Sequence, residues 1–263
     1  MRRLLVIGIG MGEPEGLTGH AIAAIGRADV FFLLDKAESA GELVRAREAL
    51  IARFARPGHR VVRAPSPPRR PAPLPGPRDA YDGAVADWHE ARAGRLAALL
   101  AAELGADEAG ALLVWGDPML YDSTLRVLET AQAGAHVTVE VFPGVTALQA
   151  LCAAHALPLN GIGEEVLLTT GRNVMQATPD APAFAVLLDD GSALGALLAR
   201  GFDGTVWWGA NFGTPGERRV AGRLGEVAGA IRAARGEVKA ARGWVMDVWL
   251  ARRRAPPASG PRT

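Results

Sequence analysis

The chain has 263 residues, enough for one large domain or two small ones, each with its own core. Apolar residues make up 49% of it and charged residues 22%, as in ordinary globular proteins, and the net charge of +1 provides no basic field for nucleic acid. Cys152 is its only cysteine, which excludes an internal disulfide and a cysteine-rich zinc site, and the histidine spacing predicts no metal site. No stretch approaches the roughly 20 apolar residues of a membrane span, so we expect a cytoplasmic protein.

Strand-like and helix-like segments alternate through the first half of the chain. The predicted strands are Leu4–Ile7, Val30–Leu34, Leu112–Trp115 and Val137–Val141, and the predicted helices are Thr18–Gly26, Ala40–Arg53, Ala80–Glu103 and Ser123–Gln132. This alternation favours an α/β fold with a mostly parallel sheet covered by helices. Eight of the 18 prolines fall between Pro57 and Pro77, where missing amides disfavour a helix or central strand. We predict a surface loop there, with a flap over a substrate as the alternative.

The second half of the chain contains more strands and more hairpin-like turns than the first. A link with a helix ending near His155 precedes it. The predicted strands are Val166–Thr169, Phe184–Leu188, Thr205–Trp208 and Trp244–Leu250, with helices at Ala193–Ala199 and Gly225–Arg235. We therefore predict an N-terminal α/β domain over residues 1–142 and a C-terminal α/β domain with a mixed sheet over 143–251. Residues 252–263 are rich in Arg, Pro, Ser and Gly, which predicts a disordered tail.

A glycine-rich segment, Gly8-Ile9-Gly10-Met11-Gly12-Glu13-Pro14, follows the first predicted strand. Glycines allow the backbone to turn sharply and to approach a ligand closely. The segment is not a dinucleotide fingerprint, because Pro14 and Glu15 stand where that motif begins its helix, and an acid repels a phosphate. Taken alone, it fits a structural turn as well as a ligand-binding loop.

Two further motifs follow predicted strands. One runs from Trp115-Gly116-Asp117-Pro118 to Arg126, and the other is Pro143-Gly144-Val145-Thr146-Ala147. Loops after parallel strands lie at the carboxyl edge of the sheet, where open α/β sheets bind ligands. We therefore expect the three loops to converge on one edge. Asp117 is interpreted as an acid beside a ligand, with the acid of a turn before proline as the alternative.

Together these motifs resemble the tetrapyrrole methylase family. GxGxGxPxxLT, GDPxxY and PGxTAL occur in that order, and the resemblance extends from Leu4 to about Leu250. It implies two α/β domains with S-adenosylmethionine bound in the cleft between them, and a homodimer. The implied cofactor contacts are Gly10, Pro14, Trp115, Gly116, Asp117, Leu120, Thr146 and Ala147 in the first half and Leu188, Ala210 and Met246 in the second.

Rarer segments indicate a branch of this family. Asp87-Trp88-His89, the bulky Trp115 before GDP and AHALPLNGIGEEVLLTTGR resemble the branch that methylates C-1 of precorrin-5 and releases acetate. Precorrin-5 is then the implied substrate. Two alternatives stay open. One is a tetrapyrrole methylase acting at another ring carbon, and the other is a nucleotide-binding module without methylation activity.

The implied chemistry makes limited demands on side chains. S-adenosylmethionine carries its own electrophile, so the protein must align the acceptor carbon and exclude water, without a metal. A precorrin has several carboxylate arms, which guanidinium groups bind well. Candidate substrate contacts are Arg172, Arg126 and Tyr121, with Lys36 and Arg47 as further cations. Acetate release needs attack on an acyl carbonyl, for which the candidate general bases are Asp122, His89 and Asp35.

Overall fold

The structure, a computed structural model, describes residues 2–35, 41–68 and 78–254. The chain divides into two compact units, Met1–Thr146 and Ala147–Thr263. This division lies four residues beyond the predicted boundary after residue 142. Each unit contains one five-stranded sheet.

The first unit alternates strands and helices, as predicted. Its elements are β1 (Arg3–Gly8), α1 (Gly19–Arg27), β2 (Val30–Asp35), α2 (Gly41–Phe54), β3 (Arg60–Pro65), α3 (Arg78–Glu103), β4 (Ala109–Val114), α4 (Thr124–Ala135) and β5 (Thr138–Phe142). The strand order is β3-β2-β4-β1-β5, and every pairing is parallel. The prediction of a mostly parallel sheet is therefore confirmed.

Helices cover both faces of this sheet, which explains why its central strands are continuous apolar runs. In β2, Phe31 packs in a core with residues of α1 and α2, whereas Phe32 packs in a core with residues of α3 and α4. Neighbouring residues of a strand point to opposite faces, so these two phenylalanines assign α1 and α2 to one face and α3 and α4 to the other. All six residues of β4 are buried.

The prediction of a loop through the proline-rich segment is wrong for Arg60–Pro65, which form β3. This strand lies at the edge of the sheet, where it needs hydrogen-bond partners on one side only. Val61 and Val62 favour an extended backbone, and Pro65 stands at the last position of the strand, where a missing amide costs little. Residues 69–77, on which the flap alternative depends, lie outside the described part of the chain.

The second unit contains a mixed sheet, as predicted. Its elements are α5 (Ala147–Ala154), β6 (Val166–Thr170), α6 (Gly171–Gln176), β7 (Ala183–Leu187), α7 (Ala193–Ala199), β8 (Gly204–Ala210), β9 (Arg218–Arg223), α8 (Leu224–Arg242) and β10 (Asp247–Arg253). The strand order is β6-β7-β10-β8-β9. β6 and β7 pair in parallel, and the other pairs are antiparallel.

The sequence pattern does not predict α6 or β9. β9 is an edge strand whose residues are all exposed or half-buried, so its sequence RRVAGR lacks the apolar alternation that predicts a strand. β10 extends to Arg253, so Arg252 and Arg253 belong to a strand and not to the predicted tail. Residues 255–263 of that tail lie outside the described part.

Candidate functional site

Three loops lie together at the carboxyl edge of the first sheet, as expected. They follow β4, β1 and β5, which are neighbours in that order. Gly10 N donates to Gly116 O at 3.1 Å, and Gly116 N donates to Gly10 O at 2.7 Å. A short two-way bridge therefore joins the loop after β1 to the loop after β4.

Glycine at two positions allows the third loop to approach. A Cβ atom added at Gly144 would lie 2.1 Å from Gly116 O, and one added at Gly8 would lie 2.5 Å from Gly144 N. Both contacts are with backbone atoms, which cannot rotate away. Only glycine fits at positions 8 and 144 without moving the loops.

Asp117 holds the loops after β4 and β5 together. It is buried, with 7% of its surface exposed. Its Oδ2 accepts a hydrogen bond from Gly144 N at 2.9 Å, and its Oδ1 accepts one from Met119 N at 2.8 Å. A turn before proline accounts for the hydrogen bond from Met119 N but not for the one from Gly144 N, which joins two loops that are distant in the chain. Its predicted contact with a cofactor stays a prediction.

Trp115 packs on the glycine-rich loop after β1. A Cβ atom added at Gly12 would lie 2.2 Å from the indole ring of Trp115. The indole Nε1 is buried and has no hydrogen-bond partner within the described ranges. Leu120 is half-buried and Tyr121 is exposed, with the positive φ of 51° in its backbone. Burial of part of its ring raises the pKa of the Tyr121 hydroxyl.

Residues predicted as cofactor contacts in the second half also come together at one sheet edge. Leu188 directly follows β7, Met246 directly precedes β10, and Ala210 ends β8. Since β10 pairs with both β7 and β8 and is antiparallel to them, these three positions lie at the same end of the sheet. Leu188 is 65% exposed and Met246 40% exposed, whereas Ala210 is buried.

Asn211 is a residue at this edge to which sequence analysis gave no role of its own. Its N donates to Met246 O at 2.9 Å, and its Oδ1 accepts from Met246 N at 2.9 Å. It is 1% exposed and has a φ of 53°. Its sequence signal is weak, although Asn is among the residues that adopt a positive φ most readily. Asn211 fixes the position of Met246.

Asp189 and Trp249 form a second buried contact near the same edge. Asp189 is 8% exposed, its Oδ2 accepts from Trp249 Nε1 at 3.1 Å, and its Oδ1 accepts from Ala193 N at 3.3 Å. The sequence predicts a turn at Asp189-Asp190-Gly191 but gives no partner for the acid. The partner is 60 residues away in the chain.

Asp247 is a second acid of the second unit with a buried side chain, which is 3% exposed. Its Oδ2 accepts from Trp208 Nε1 and from Arg235 Nε, each at 3.0 Å. Burial raises the pKa of this carboxyl, and the positive charge of Arg235 opposes that shift. Trp208 is fully buried and Trp207 is half-buried, because adjacent residues of a strand point to opposite faces of the sheet.

The predicted substrate contacts and bases are divided between the two units. Arg172 is half-buried at the start of α6, in the second unit, whereas Arg126 is exposed on α4 in the first. Asp122 precedes α4, and its Oδ1 accepts from Thr124 N at 2.6 Å. His89 lies on α3 with its ring 5.4 Å from that of Trp88. The side chain of Asp35 and all of Lys36 lie outside the described part.

A cavity of about 130 Å³ opens at the carboxyl ends of β2 and β4. Its lining includes Arg47, Arg92, Trp115 and Asp122, and it does not include His89. Sequence analysis did not single out Arg92. Its spacing from Trp88, four residues along one helix, is the signal that points to it, since the guanidinium lies 4.7 Å from that ring.

Neither a metal cluster nor a membrane span is found in the described ranges. No group of three His, Cys, Asp or Glu side chains there could hold a metal ion. No described helix is both long and apolar enough to cross a bilayer.

Comparison with known proteins gives consistent matches. The family model for tetrapyrrole (corrin/porphyrin) methylases matches residues 3–228. The precorrin-6A synthase [deacetylating] of Sinorhizobium sp is 42% identical over 258 residues, which cover 97% of each chain. The precorrin-2 C(20)-methyltransferase of Sinorhizobium sp is 31% identical over 165 residues, 63% of this chain and 62% of that one.

Solved structures share the fold. The cobalamin-synthesis-related protein CobF of Corynebacterium diphtheriae superposes with a TM-score of 0.79 and 32% identity, covering 96% of this chain and 99% of that one. The uroporphyrin-III C-methyl transferase of Thermus thermophilus, complexed with S-adenyl homocysteine, gives a TM-score of 0.56 at 24% identity, covering 95% and 96%. The second likeness concerns the fold alone.

Proposed function

Because the chain belongs to the tetrapyrrole (corrin/porphyrin) methylase family, we propose that it methylates C-1 of precorrin-5 with S-adenosylmethionine and releases acetate, giving precorrin-6A in cobalamin biosynthesis. The observation that carries this proposal is the 42% identity to a deacetylating precorrin-6A synthase over 97% of both chains. The match with the methyltransferase for C-20 of precorrin-2 is lower in identity and covers 63% of this chain.

The loops of the first sheet fit the proposed cofactor. Gly10 and Gly116 have φ values of 58° and 63°, which side-chain-bearing residues rarely adopt. A Cβ atom added at Gly116 would meet only Met11 Cε, at 3.9 Å. The backbone there is open to close approach by a ligand. The proposed contacts in this unit are Gly10, Pro14, Trp115, Gly116, Asp117, Leu120 and Thr146.

The edge of the second sheet fits the apolar parts of the cofactor. Leu188 and Met246 are exposed apolar side chains, and Leu188 has a φ of 53°. A strained backbone at an exposed apolar residue is typical of functional positions. We propose cofactor contacts at Leu188, Ala210 and Met246, and at Ala147 at the start of α5. The expectation that the cofactor lies in a cleft between the domains stays a prediction.

The chain's own contribution to methyl transfer is alignment. The cofactor supplies a methyl group on a positively charged sulfur, and the protein must hold the acceptor carbon in line with it and exclude water. Arg172, Arg126 and Tyr121 are the proposed substrate contacts. Arg172 is the better placed of the two arginines. It is half-buried just after β6, the strand that pairs with β7, whereas Arg126 is exposed.

Acetate release requires a general base, for which Asp122, His89 and Asp35 are the candidates. Asp122 is supported by its position in the wall of the cavity. Asp122→Asn keeps an oxygen that accepts from Thr124 N, so it tests the base without removing the local turn. A true base gives a variant that binds substrate but releases little acetate. Full acetate release by Asp122→Asn, His89→Gln and Asp35→Asn would eliminate all three.

Incubation with precorrin-5 and labelled S-adenosylmethionine tests the proposed function. We expect one methyl group on the product and acetate in equal amount. Methylation without acetate would favour the alternative, a methylase acting at another ring carbon. Calorimetric titration with S-adenosylhomocysteine tests the cofactor itself, and no binding at high micromolar concentration would contradict any methyltransferase activity and leave the nucleotide-binding module.

We also propose that the protein is a homodimer in the cytoplasm, as the family resemblance implies. Sedimentation velocity on the purified chain measures its mass, and a species of the monomer mass of 27.5 kDa at micromolar concentration would contradict the dimer. Fractionation of cells that express the chain tests the compartment.

A further inference from the structure

The cavity of the first unit lies at a position where the sheet opens. β2 and β4 are neighbours, but they pair only at Val30–Gly110 and Phe31–Ala111. Beyond those pairs no further pairing joins the two strands, and residues 32–34 of β2 and 112–114 of β4 line the cavity. The helices that follow these two strands lie on opposite faces of the sheet. Crevices of this kind are where open α/β sheets bind ligands.

Two guanidinium groups from opposite faces of the sheet line this cavity. Arg47 comes from α2, and its Nε donates to Leu113 O at 2.9 Å, a strand carbonyl left unpaired by the divergence. Arg92 comes from α3, where its guanidinium stacks 4.7 Å from the ring of Trp88. Asp122 is the one carboxylate among the described side chains of the lining. The described part of the wall therefore carries two guanidinium groups and one carboxylate.

Arg92 is held in place with a hydrogen-bond donor unused. Its Nη1 lies 3.4 Å from Ser123 Oγ, a weak contact. Its Nε–H is buried and has no acceptor within the described part of the chain. Burial lowers the pKa of the guanidinium, and the charge of Asp122 opposes the shift. A buried donor without a partner is costly, so such a group points to an absent acceptor.

The cavity is large enough for an organic anion. Its volume is about 130 Å³, whereas one water needs roughly 10–15 Å³ by the same measure. Trp115 also lines the cavity, and its indole Nε1 is a second buried donor without a partner in the described ranges. Two buried donors without an acceptor in the described ranges suit a carboxylate, which only accepts hydrogen bonds.

We propose that this cavity binds one carboxylate arm of the tetrapyrrole, with Arg92 as the residue that holds it. The identity of the anion as a tetrapyrrole arm rests on the proposed function. A carboxylate also occurs in S-adenosylmethionine, and Trp115 of the proposed cofactor loop is part of the cavity lining, but Arg92 comes from α3 and belongs to none of the cofactor motifs. The substrate carries several such arms and is the better supplier.

Kinetics of Arg92 variants test the site. Arg92→Ala should raise the KM for precorrin-5 about 10- to 100-fold, since a charge-assisted hydrogen bond is lost, and leave the Kd for S-adenosylhomocysteine unchanged. Arg92→Lys keeps the positive charge but lacks the Nε–H, so its KM for precorrin-5 should lie between that of the unsubstituted chain and that of Arg92→Ala. Arg95→Ala is the matched control, because Arg95 is exposed on the same helix and does not line the cavity. It should behave as the unsubstituted chain.

The outcomes separate this inference from the proposed function. An unchanged KM in Arg92→Ala overturns the arginine site while methylation by the unsubstituted chain supports the function. A weakened Kd for S-adenosylhomocysteine in Arg92→Ala overturns the substrate assignment, because the carboxylate would be the cofactor's. Retained cofactor binding and an unchanged melting temperature show that the variant is folded.

A titration with sodium propionate reads the site without any reaction. The Nε–H resonance of Arg92, identified by its loss in Arg92→Lys, should shift and saturate with propionate but not with sodium chloride at equal ionic strength. If the Arg92 Nε–H resonance does not shift with propionate up to roughly 100 mM, a concentration well above a millimolar Kd, the anion site is overturned. If the unsubstituted chain methylates no precorrin, the proposed function fails, and this titration still decides whether the cavity binds a carboxylate.

Discussion

Asp117 and Gly144 are 27 residues apart in the chain, and a hydrogen bond of 2.9 Å joins the carboxylate of one to the amide of the other. The second carboxylate oxygen accepts from Met119 N at 2.8 Å. A single buried side chain therefore fixes the loop after β4 and ties it to the loop after β5. The shape of the proposed cofactor site depends on this contact.

Asp117→Asn should loosen both loops. An amide group has one acceptor oxygen, so one of the two backbone amides would face its NH₂ group. We expect the free energy of unfolding to fall by about 1–3 kcal/mol. The affinity for S-adenosylhomocysteine should fall roughly tenfold, the equivalent of one lost hydrogen bond. Denaturant unfolding and calorimetry measure the two effects. Asp87→Asn, exposed on α3, is the control, and equal behaviour of the two variants would contradict the role of Asp117.

Gly144→Ala should be more damaging than its size suggests. The added Cβ would lie 2.1 Å from Gly116 O, so one loop must move. We expect a loss of stability of about 1–3 kcal/mol from overpacking, and loss of cofactor binding. Gly94→Ala on α3 is the matched change, because a Cβ there meets nothing within 4 Å. That substitution should stabilise the helix by about 0.5–1 kcal/mol. Thermal unfolding of both variants measures the two effects, and equal melting temperatures for Gly144→Ala and Gly94→Ala would contradict this prediction.

Trp249→Phe should destabilise the second unit and weaken cofactor binding. The substitution removes the hydrogen-bond donor to Asp189 Oδ2 and leaves a buried carboxylate oxygen without that partner. Cofactor binding should weaken because Leu188, a proposed cofactor contact, is the residue next to Asp189. The expected cost is about 1–3 kcal/mol. Trp244→Phe serves as the comparison, since Trp244 Nε1 is buried without a partner in the described ranges, and its removal should be neutral or stabilising. A larger loss in Trp244→Phe would refute this account.

Stability should depend on pH through Glu108. A hydrogen bond from Arg60 at 2.8 Å lowers the pKa of this carboxyl from 4.5 to about 2. A folded-state pKa below the unfolded one means that the ionised form contributes stability above the unfolded value. That contribution is lost as the pH falls from 4.5 to about 2.

Glu108→Gln should therefore be less stable than the unsubstituted chain at neutral pH, by a small amount because the pair is exposed. The difference should vanish as the pH approaches the folded-state pKa. Denaturant unfolding at successive pH values measures it. Glu129→Gln, exposed on α4, should show no such trend, and a Glu108→Gln difference that is independent of pH would rule out this ionic contribution.

The sequence determined the strands that are buried on both faces and the loops that follow them. β1 and β4 are continuous apolar runs, and the motifs after them contain glycines at positions with a positive φ, such as Gly10 and Gly116. Local patterns of this kind report burial and backbone conformation directly. β3 and β9 were not predicted, because these two edge strands leave most of their residues exposed or half-buried and contain no long apolar run.

The tertiary structure alone decided which side chains are partners. Asp117 and its partner Gly144 are 27 residues apart in the chain, and Asp189 and its partner Trp249 are 60 residues apart. The cavity beside Arg92 is also lined by residues that are distant in the chain. No local period of the sequence encodes such separations. The sequence predicts that Asp117 is an acid beside a ligand, with an acid of a turn as the alternative, and the turn explains only the contact with Met119. Buried polar groups must find partners wherever the fold brings them, and only the packed sheet shows where those partners are.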